Sequence, residues 1–453
     1  MQPFAQAKHQ KMKVKFVEVP GSVLAPRGFR AAGVFCDIKR LGTGKGSDKG
    51  QKRDLALIVS QTPATVAGMF TTNQVCAAPV KVCLPRVHKG RAQAIVVNSG
   101  NANACTGKQG FLDALEMARF TEQALNLPRG SALVGSTGRI GVPLPMDEVR
   151  AGIVEAAALL GSTHKHSAHA AEAIMTSDTR PKQIAIEFKL HGDTVRIGGI
   201  CKGAGMIQPG MSASGRRPAA MPHATMLCFL TTDVAIQRPA LQAALAEAVA
   251  QSFNRITVDG DMSTNDTVLL LANGAASPKS KVRSPKSEQF GVFQAALNYV
   301  CLELAKMIVR DGEGVSRFVT LRVNGAKSFA EADAAARAVA NSALVKTSWH
   351  GSDPNWGRII DALGYSPARV VEEKVDIGYS APDDKKVLWS LKRGQPTKAG
   401  FKELCAAVAA PEFDLHIRLN LGKASALIYA ADLTEDYVEF NKGDVSDPSS
   451  LGG

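Results

Sequence analysis

The chain has 453 residues, of which 45% are hydrophobic and 21% charged, a composition typical of globular proteins with a large core. No apolar run approaches the ~20 residues that span a bilayer, and no signal-peptide pattern opens the chain, so we expect a soluble intracellular protein. The formal charge is +13, but residues 1–54 alone hold 12 Lys/Arg and 4 Asp/Glu. A basic arm of this kind is more typical of a solvated tail than of a nucleic-acid surface.

The pattern of apolar residues predicts the following elements in chain order. Strands are expected at 55–60, 92–98, 184–190, 194–200, 226–236, 268–272, 318–323, 370–377 and 413–420, and helices at 110–126, 146–160, 239–253, 293–307 and 330–344. The two strands around 191–193 (His-Gly-Asp) read as a hairpin. This alternation, without a repeat of 20–50 residues, predicts an α/β or α+β fold.

Cysteine and histidine, the usual residues of cross-links and metal sites, form no such pattern. The eight cysteines are scattered without a C-x-x-C pair, which predicts no disulfide framework. His164, His166 and His169 cluster in a polar stretch without an acidic partner nearby. Solvated histidines are the favoured interpretation, and we expect no metal site.

Two segments rich in small polar residues follow apolar runs. Residues 98–107 (NSGNANACTG) form either an ordinary turn or the wall of a small-molecule pocket. Residues 135–138 (GSTG) place the hydroxyl of Thr137 next to the unhindered N–H of Gly138. Such a pair of donors suits the stabilisation of a developing oxyanion.

Thr225 stands where a hydroxyl has a route to activation. It follows a Gly/Ser/Pro-rich run and opens an apolar strand-like run. If the bond after Ala224 were cut, the free α-amine of Thr225 could act as the general base for its own hydroxyl. The alternative is that Thr225 simply begins a strand, as β-branched residues often do.

Eight segments in the same order resemble the ornithine acetyltransferase family, also called the glutamate N-acetyltransferase family of arginine biosynthesis. The resemblance spans nearly the whole chain. The segments are NSGNANACTG (98–107), GSTGRIGVPLPM (135–146), AIMTSDTRPK (173–182), KGAGMI (202–207), ATMLCFLTTD (224–233), FNRITVDGDMSTNDTVLLLANG (253–274), VRDGEGVSRF (309–318) and GSDPNWGRI (351–359).

The resemblance implies a stacked-sheet αββα sandwich of the ornithine acetyltransferase or DmpA-like kind, with a smaller carboxyl-terminal part. It implies self-cleavage between Ala224 and Thr225 into an alpha chain (1–224) and a beta chain (225–453) that begins with the nucleophile. Thr137 and Gly138 match the family's oxyanion pair. The implied substrate-binding residues are Thr176, Lys202, Thr225, Glu313, Asn441 and Ser446.

The activity implied by the resemblance is transfer of acetyl from N2-acetyl-L-ornithine to L-glutamate, by a ping-pong route through acetyl-Thr225. No cofactor is implied, and acetyl-CoA is an additional donor in some members. Lys202 or the polar carboxyl-terminal tail suits the α-carboxylate of the substrate, and Glu313 suits the ornithine ammonium. The two chains are expected to remain together as an α2β2 heterotetramer in the cytoplasm, with an organelle as the alternative location.

Two other functions remain open from the sequence. An N-terminal-nucleophile amidase or aminopeptidase of similar fold would use the same Thr225 but pass the acyl group to water. A nucleic-acid-binding protein would leave the chain uncut and bind polyanions in a salt-dependent way. We expect neither a nucleic-acid nor a membrane partner.

The chain departs from the family pattern at two places. About a dozen residues, 211–223, are inserted before the predicted cut, where they either slow or regulate processing or form a tolerated surface loop. At the carboxyl end, the FNKGDVS segment that contains Asn441 and Ser446 is followed by DPSSLGG. The assignments of these two residues rest on this segment alone.

Overall fold

The computed structural model describes residues 15–41, 52–216, 226–277 and 281–442. The helices are α1 Ala78–His88, α2 Gly107–Ala124, α3 Met146–Ala158, α4 His164–Ala173, α5 Arg238–Gln251, α6 Glu288–Arg310, α7 Phe329–Asn341, α8 Ala343–His350, α9 Trp356–Gly364, α10 Phe401–Ala409 and α11 Glu435–Phe440. The strands are β1 Val17–Glu18, β2 Phe29–Val34, β3 Leu55–Phe70, β4 Arg91–Asn101, β5 Ala132–Arg139, β6 Lys182–Leu190, β7 Asp193–Lys202, β8 Leu227–Thr232, β9 Ile256–Thr257, β10 Thr267–Ala272, β11 Phe318–Ala326, β12 Asp376–Ser380, β13 Leu388–Lys392, β14 Gln395–Pro396, β15 Glu412–Arg418 and β16 Ala424–Ala431.

The larger sheet has the strand order β1-β6-β7-β8-β10-β3-β4-β5, with β2 also paired to β3. Its long strand β3 pairs with β4 over its first part and with β10 over its last part. Between Val59 and Ala64 the register with β4 shifts. Pro63 has no N–H to donate to a ladder, which suits this irregular position.

Strand β5, at one end of this sheet, packs against β8 in its middle. A Cβ placed on Gly135 in β5 would lie 3.1 Å from Phe229 Cζ in β8, although the two strands are not neighbours in the sheet. Leu227 and Phe229 join the core cluster that contains β4 and β5. Cys228 and Leu230 point the other way, into the cluster that contains α5 and α6. Helices α1, α2 and α3 pack outside the layer of β4, β5 and the first part of β3. Helix α5 packs against the last part of β3 and α6 against β6 and β7, so the layers run helix, sheet, sheet, helix.

The smaller sheet lies in the carboxyl-terminal part, in the order β14-β13-β12-β15-β11-β16-β9. Helix α7 packs against β11 and β16, and their side chains form a third core cluster with Trp349 and Phe413. The predicted α/β class, with two sheets flanked by helices and a smaller carboxyl-terminal part, is confirmed.

Helix α6 is apolar and long enough to cross a membrane by length and composition, although no membrane span was predicted from the sequence. More than half of its most apolar stretch is buried inside the protein. Phe293, Leu297, Val300 and Leu304 are fully buried in the core that α6 shares with α5. This is the packing of a core helix.

Several predicted boundaries differ from the structure. Strand β3 continues ten residues beyond the predicted end at residue 60. The helix predicted over 330–344 ends at Asn341, because the Ser342 side chain accepts the Val345 N–H and starts α8. Residues 372–374 form a 3-10 turn, so the strand predicted over 370–377 begins only at Asp376. The remaining helices and strands predicted above are present within a few residues of their expected bounds.

The predicted boundary between alpha and beta chains does not separate two bodies. Strand β7, before it, pairs antiparallel with β8, after it, and β3 pairs with β10. Residues 217–225, which include Ala224 and Thr225, lie outside the described residues. Of the inserted segment, Ser212 exchanges two backbone hydrogen bonds of 2.9 Å with Phe70 at the end of β3.

Candidate active site

Thr137 and Gly138 lie near the end of β5, beside the irregular end of β4. Thr137 is buried, and Gly138 is paired with Gly100 of β4 in parallel register. Gly138 has φ +130°, and a Cβ on it would lie 2.3 Å from the Gly100 carbonyl carbon. Only glycine fits this position, so the backbone of the predicted oxyanion pair is set by close contact with β4.

Side-chain amides hold this pair in place. Ser136 Oγ donates to Asn98 Oδ1 at 2.6 Å, and Asn98 Nδ2 donates to the Asn101 carbonyl at 2.8 Å. Asn265 Nδ2 reaches across from the other layer to the Ser136 and Ala102 carbonyls, at 2.8 and 2.6 Å. The NSGNAN segment is therefore the scaffold of Thr137 and Gly138 and more than an ordinary turn.

The next residue along the chain, Asp266, fixes the start of β8. Asp266 Oδ1 accepts the Met226 N–H at 2.5 Å, and the Met226 carbonyl accepts the Thr267 N–H at 3.1 Å. Both Met226 and Asp266 are fully buried. Because Met226 is bonded directly to Thr225, the consecutive residues Asn265 and Asp266 connect the oxyanion pair to the attachment point of the predicted nucleophile.

Lys202 ends β7 and pairs in register with Leu227, the second residue after Thr225. Its side chain is buried, and its Nζ lies 4.0 Å from Asp178 Oδ2. Among the described residues it makes no hydrogen bond. Burial lowers the pKa of Lys202, and the attraction of Asp178 opposes this effect. A buried ammonium with this surplus of donors is suited to an anionic ligand.

Asp178 connects the Lys202 segment to Thr176. Its carboxylate accepts the Thr176 N–H at 3.0 Å and the Gly203 N–H at 2.8 Å. Burial by itself raises the pKa of Asp178, but Lys182 and Lys202 outweigh burial and hold it below its usual value. Two of the predicted substrate-binding residues are therefore positioned by one ionised carboxylate.

Glu313 lies in the loop after α6 and contacts the segment that follows Lys202. Its N–H donates to the Ala204 carbonyl at 3.0 Å, and a Cβ on Gly205 would lie 2.3 Å from Glu313 Oε2. Asn441 Nδ2 donates to Glu313 Oε2 at 2.9 Å. The structure thus brings Glu313 and Asn441 into contact, while Ser446 lies outside the described residues.

Helix α11 and Asp259 complete this side of the site. Asp259 accepts the Met206 and Ile207 N–H groups at 2.6 and 2.8 Å, and Tyr437 Oη approaches it at 3.4 Å. Burial raises the pKa of Asp259 and also that of the Tyr437 hydroxyl. Asp259 therefore holds the loop that contains Gly205, and this loop packs against the Glu313 carboxylate.

The sequence matches the family model described as the ArgJ family over residues 30–443. The chain belongs to the ArgJ family. It is 47% identical over 424 residues to the arginine biosynthesis bifunctional protein ArgJ of Symbiobacterium thermophilum, covering 93% of this chain and 98% of that protein. It is 42% identical over 428 residues to the glutamate N-acetyltransferase of Methanocaldococcus jannaschii, with the same two coverages. This ArgJ-family chain is therefore an acyltransferase of arginine biosynthesis, a glutamate N-acetyltransferase.

Two solved structures of the ArgJ family share shorter stretches with the chain. One is the arginine biosynthesis bifunctional protein ArgJ of Bacillus halodurans, at 37% identity and a TM-score of 0.41. The other is ornithine acetyltransferase of Mycobacterium tuberculosis complexed with ornithine, at 39% identity and a TM-score of 0.40. Each covers 44% of this chain and 100% of the solved chain.

Sequence reasoning missed three carboxylates of the candidate site. Asp178 and Asp266 accept backbone N–H groups next to Lys202 and Thr225, and Asp259 accepts those of Met206 and Ile207, in the loop that contains Gly205. Asp259 and Asp266 fall in a segment whose density of carboxylates is visible in the sequence, and this density was the available signal. The three histidines lie on α4, and the described residues contain no group of His, Cys, Asp and Glu arranged to hold a metal. All eight cysteines are free.

Substitution of Gly205 by alanine tests the packing of Glu313. The added methyl would overlap the carboxylate, at 2.3 Å from Glu313 Oε2, so Glu313 must move away. We expect KM for acetylornithine to rise about tenfold, in line with the loss of one charge-assisted contact, while kcat falls less. Gly364→Ala is the matched control, because no atom lies within 4 Å of a Cβ there, and it should retain wild-type kinetics. Equal kinetics for the two variants would contradict the predicted role of Glu313.

Proposed function

We propose that this chain transfers acetyl from N2-acetyl-L-ornithine to L-glutamate through an acetyl ester on Thr225. The observation that carries the proposal is the pair Asn265 and Asp266, which joins the Thr137–Gly138 strand to Met226, the residue bonded to Thr225. Thr137, Gly138 and Met226 therefore lie close together in the protein interior, which supports the proposal. A nucleophile there would have an oxyanion site next to it.

The nucleophile becomes competent by self-cleavage. In the proposed sequence, Thr225 Oγ attacks the Ala224 carbonyl, the peptide nitrogen leaves as the Thr225 α-amine, and water hydrolyses the resulting ester. The products are residues 1–224, ending in a carboxylate, and residues 225–453, beginning with a free amine. That amine is then available as the base for the Thr225 hydroxyl.

Acetyl transfer then takes two symmetrical half-reactions. The α-amine takes the Thr225 hydroxyl proton as Oγ attacks the acetyl carbonyl, and returns it to the nitrogen of departing ornithine. The amine of glutamate next attacks the acetyl ester, and Thr225 Oγ recovers its proton as N-acetylglutamate leaves. Thr137 Oγ and the Gly138 N–H donate to the tetrahedral oxygen in both halves.

The charges around the site support an amino-acid substrate. The buried ammonium of Lys202 offers a partner for the α-carboxylate, and the half-buried Glu313 offers one for the ornithine ammonium. Thr176, positioned by Asp178, and Asn441, bonded to Glu313, flank these two groups. No cofactor or metal takes part in the proposed chemistry, and acetyl-CoA is proposed as a second acetyl donor of the same Thr225.

The two chains remain together because their strands alternate in one sheet. Separation would break the β7–β8 and β3–β10 ladders and expose both core clusters. We propose that they form an α2β2 heterotetramer in the cytoplasm. Denaturing mass spectrometry combined with native mass measurement tests this directly.

Release of ornithine from N2-acetylornithine, with and without glutamate, tests the transfer. We expect glutamate to accelerate ornithine release and to appear as N-acetylglutamate in equal amount. An amidase would release ornithine and acetate at a rate that is indifferent to glutamate, which would overturn the proposal. The same preparation should show two fragments with the masses of residues 1–224 and 225–453 under denaturing conditions.

A further inference from the structure

Beside Lys202 lies a buried ion network that the proposed reaction does not use. Lys182 Nζ donates to Asp178 Oδ1 and to Asp311 Oδ2, both at 2.5 Å. The side chains of Lys182, Asp178 and Asp311 are at most 4% exposed. Asp311 also accepts the Thr179 N–H at 3.2 Å and the Thr179 hydroxyl.

The hydrogen bonds of Asp178 are divided between its two oxygens. Oδ1 accepts from Lys182 Nζ and from the Gly203 N–H, and Oδ2 accepts from the Thr176 N–H. Lys202 Nζ lies 4.0 Å from Oδ2, which is beyond hydrogen-bond distance. Asp178 thus bonds directly to the Lys182 ammonium, while the Lys202 ammonium, 4.0 Å away, has no direct bond to it.

The two lysines compete for one carboxylate. Attraction by Asp178 and Asp311 outweighs burial and raises the pKa of Lys182, so this lysine is charged at neutral pH. Burial lowers the pKa of Lys202, Asp178 opposes this, and the charge of Lys182 lowers it further. Lys182 therefore satisfies Asp178 and at the same time repels Lys202.

We propose that Lys182 is a positioning residue that prevents Asp178 from pairing directly with Lys202, and so keeps the Lys202 ammonium available for the α-carboxylate of the substrate. The inference rests on the proposed role of Lys202. Without Lys182, Asp178 would retain only backbone donors inside the core. A small rotation would then form a direct Asp178–Lys202 ion pair, and the substrate carboxylate would have to displace it.

A substrate without the α-carboxylate separates this effect from general damage. N-acetylputrescine is identical to N2-acetylornithine except that it lacks the α-carboxylate. The ratio of kcat/KM for the two donors therefore measures how much the enzyme gains from the carboxylate. All rates are expressed per cleaved enzyme, determined by denaturing mass spectrometry.

In Lys182→Met we expect KM for N-acetylornithine to rise about 10- to 100-fold, the range for loss of a charge-assisted contact. KM for N-acetylputrescine should change less than about threefold. The double variant Lys182→Met/Asp178→Asn should recover most of the wild-type ratio, because a neutral amide attracts the Lys202 ammonium much less than a carboxylate does. Arg86→Met is the matched control, since it also strands a buried carboxylate, that of Glu122, but in the core under α1 and α2. Arg86→Met should lower the stability of the protein and leave the ratio of kcat/KM for the two donors unchanged.

Three results would overturn the inference, and they are distinguishable. The first is that Lys202→Met lowers the ratio of kcat/KM for the two donors while Lys182→Met leaves it unchanged. Equal losses of kcat/KM for both donors in Lys182→Met give the same result. Lys182 would then have a purely structural role. If Lys202→Met itself keeps the ratio, the carboxylate is bound elsewhere, and the proposed role of Lys202 fails together with the inference. Failure of the double variant to recover would likewise exclude competition for Asp178.

Discussion

Replacement of Thr225 by alanine is expected to give a single uncut chain without acetyltransferase activity. The substitution removes the hydroxyl that both attacks the Ala224 carbonyl and carries the acetyl group. Loss of a nucleophile in a covalent mechanism lowers kcat by roughly 10⁴-fold or more. Denaturing mass spectrometry follows the cleavage, and ornithine release from N2-acetylornithine follows the activity.

Thr225→Ser is the control for this experiment. It retains a hydroxyl at the same position and should still be cut, with measurable transfer. The β7–β8 pairing keeps the chain together whether or not it is cut, so the alanine variant should remain folded. Transfer at the wild-type rate by uncut Thr225→Ala would exclude the acetyl ester and the role of the α-amine.

Replacement of Thr137 by valine is expected to lower kcat by about 10²- to 10³-fold, the usual effect of removing one oxyanion donor. Valine has nearly the same shape as threonine, and Thr137 is buried in β5, so the fold should be preserved. KM should change little, because the lost hydrogen bond forms in the transition state rather than with bound substrate. Steady-state kinetics on the cleaved enzyme provides the measurement.

Thr121→Val is the matched control for Thr137→Val. Thr121 is also fully buried, and its hydroxyl donates to the Met117 carbonyl within α2, away from β5's end. It should retain wild-type kcat with a modest loss of stability. Gly138→Ala perturbs the same site through the backbone, because the added Cβ would overlap the Gly100 backbone. An unchanged kcat in Thr137→Val would remove this side chain from the mechanism.

Elements with a strong period could be predicted from the sequence because one face of each is visibly apolar. Helix α6 repeats large apolar side chains at helical spacing, and the β6–β7 hairpin alternates around its turn. Helix α4 has no such signal, since its buried residues are alanines and one serine. It packs closely against Gly33 of β2, where a Cβ would lie 2.0 Å from the His169 carbonyl. A helix that packs through small residues shows no periodic pattern of large apolar residues in its sequence.

The sequence by itself determined the family, and through its motifs the expected roles of Thr137, Gly138, Lys202 and Glu313. Such motifs are local, and their residue types already state the chemistry. Only the tertiary structure decided what holds them, because Asp178, Lys182 and Asp266 act on partners that are far away in the sequence. A buried carboxylate is recognised by the donors it meets, and those donors come together only when β6 pairs with β7, β8 pairs with β10 and α6 packs on the sheet.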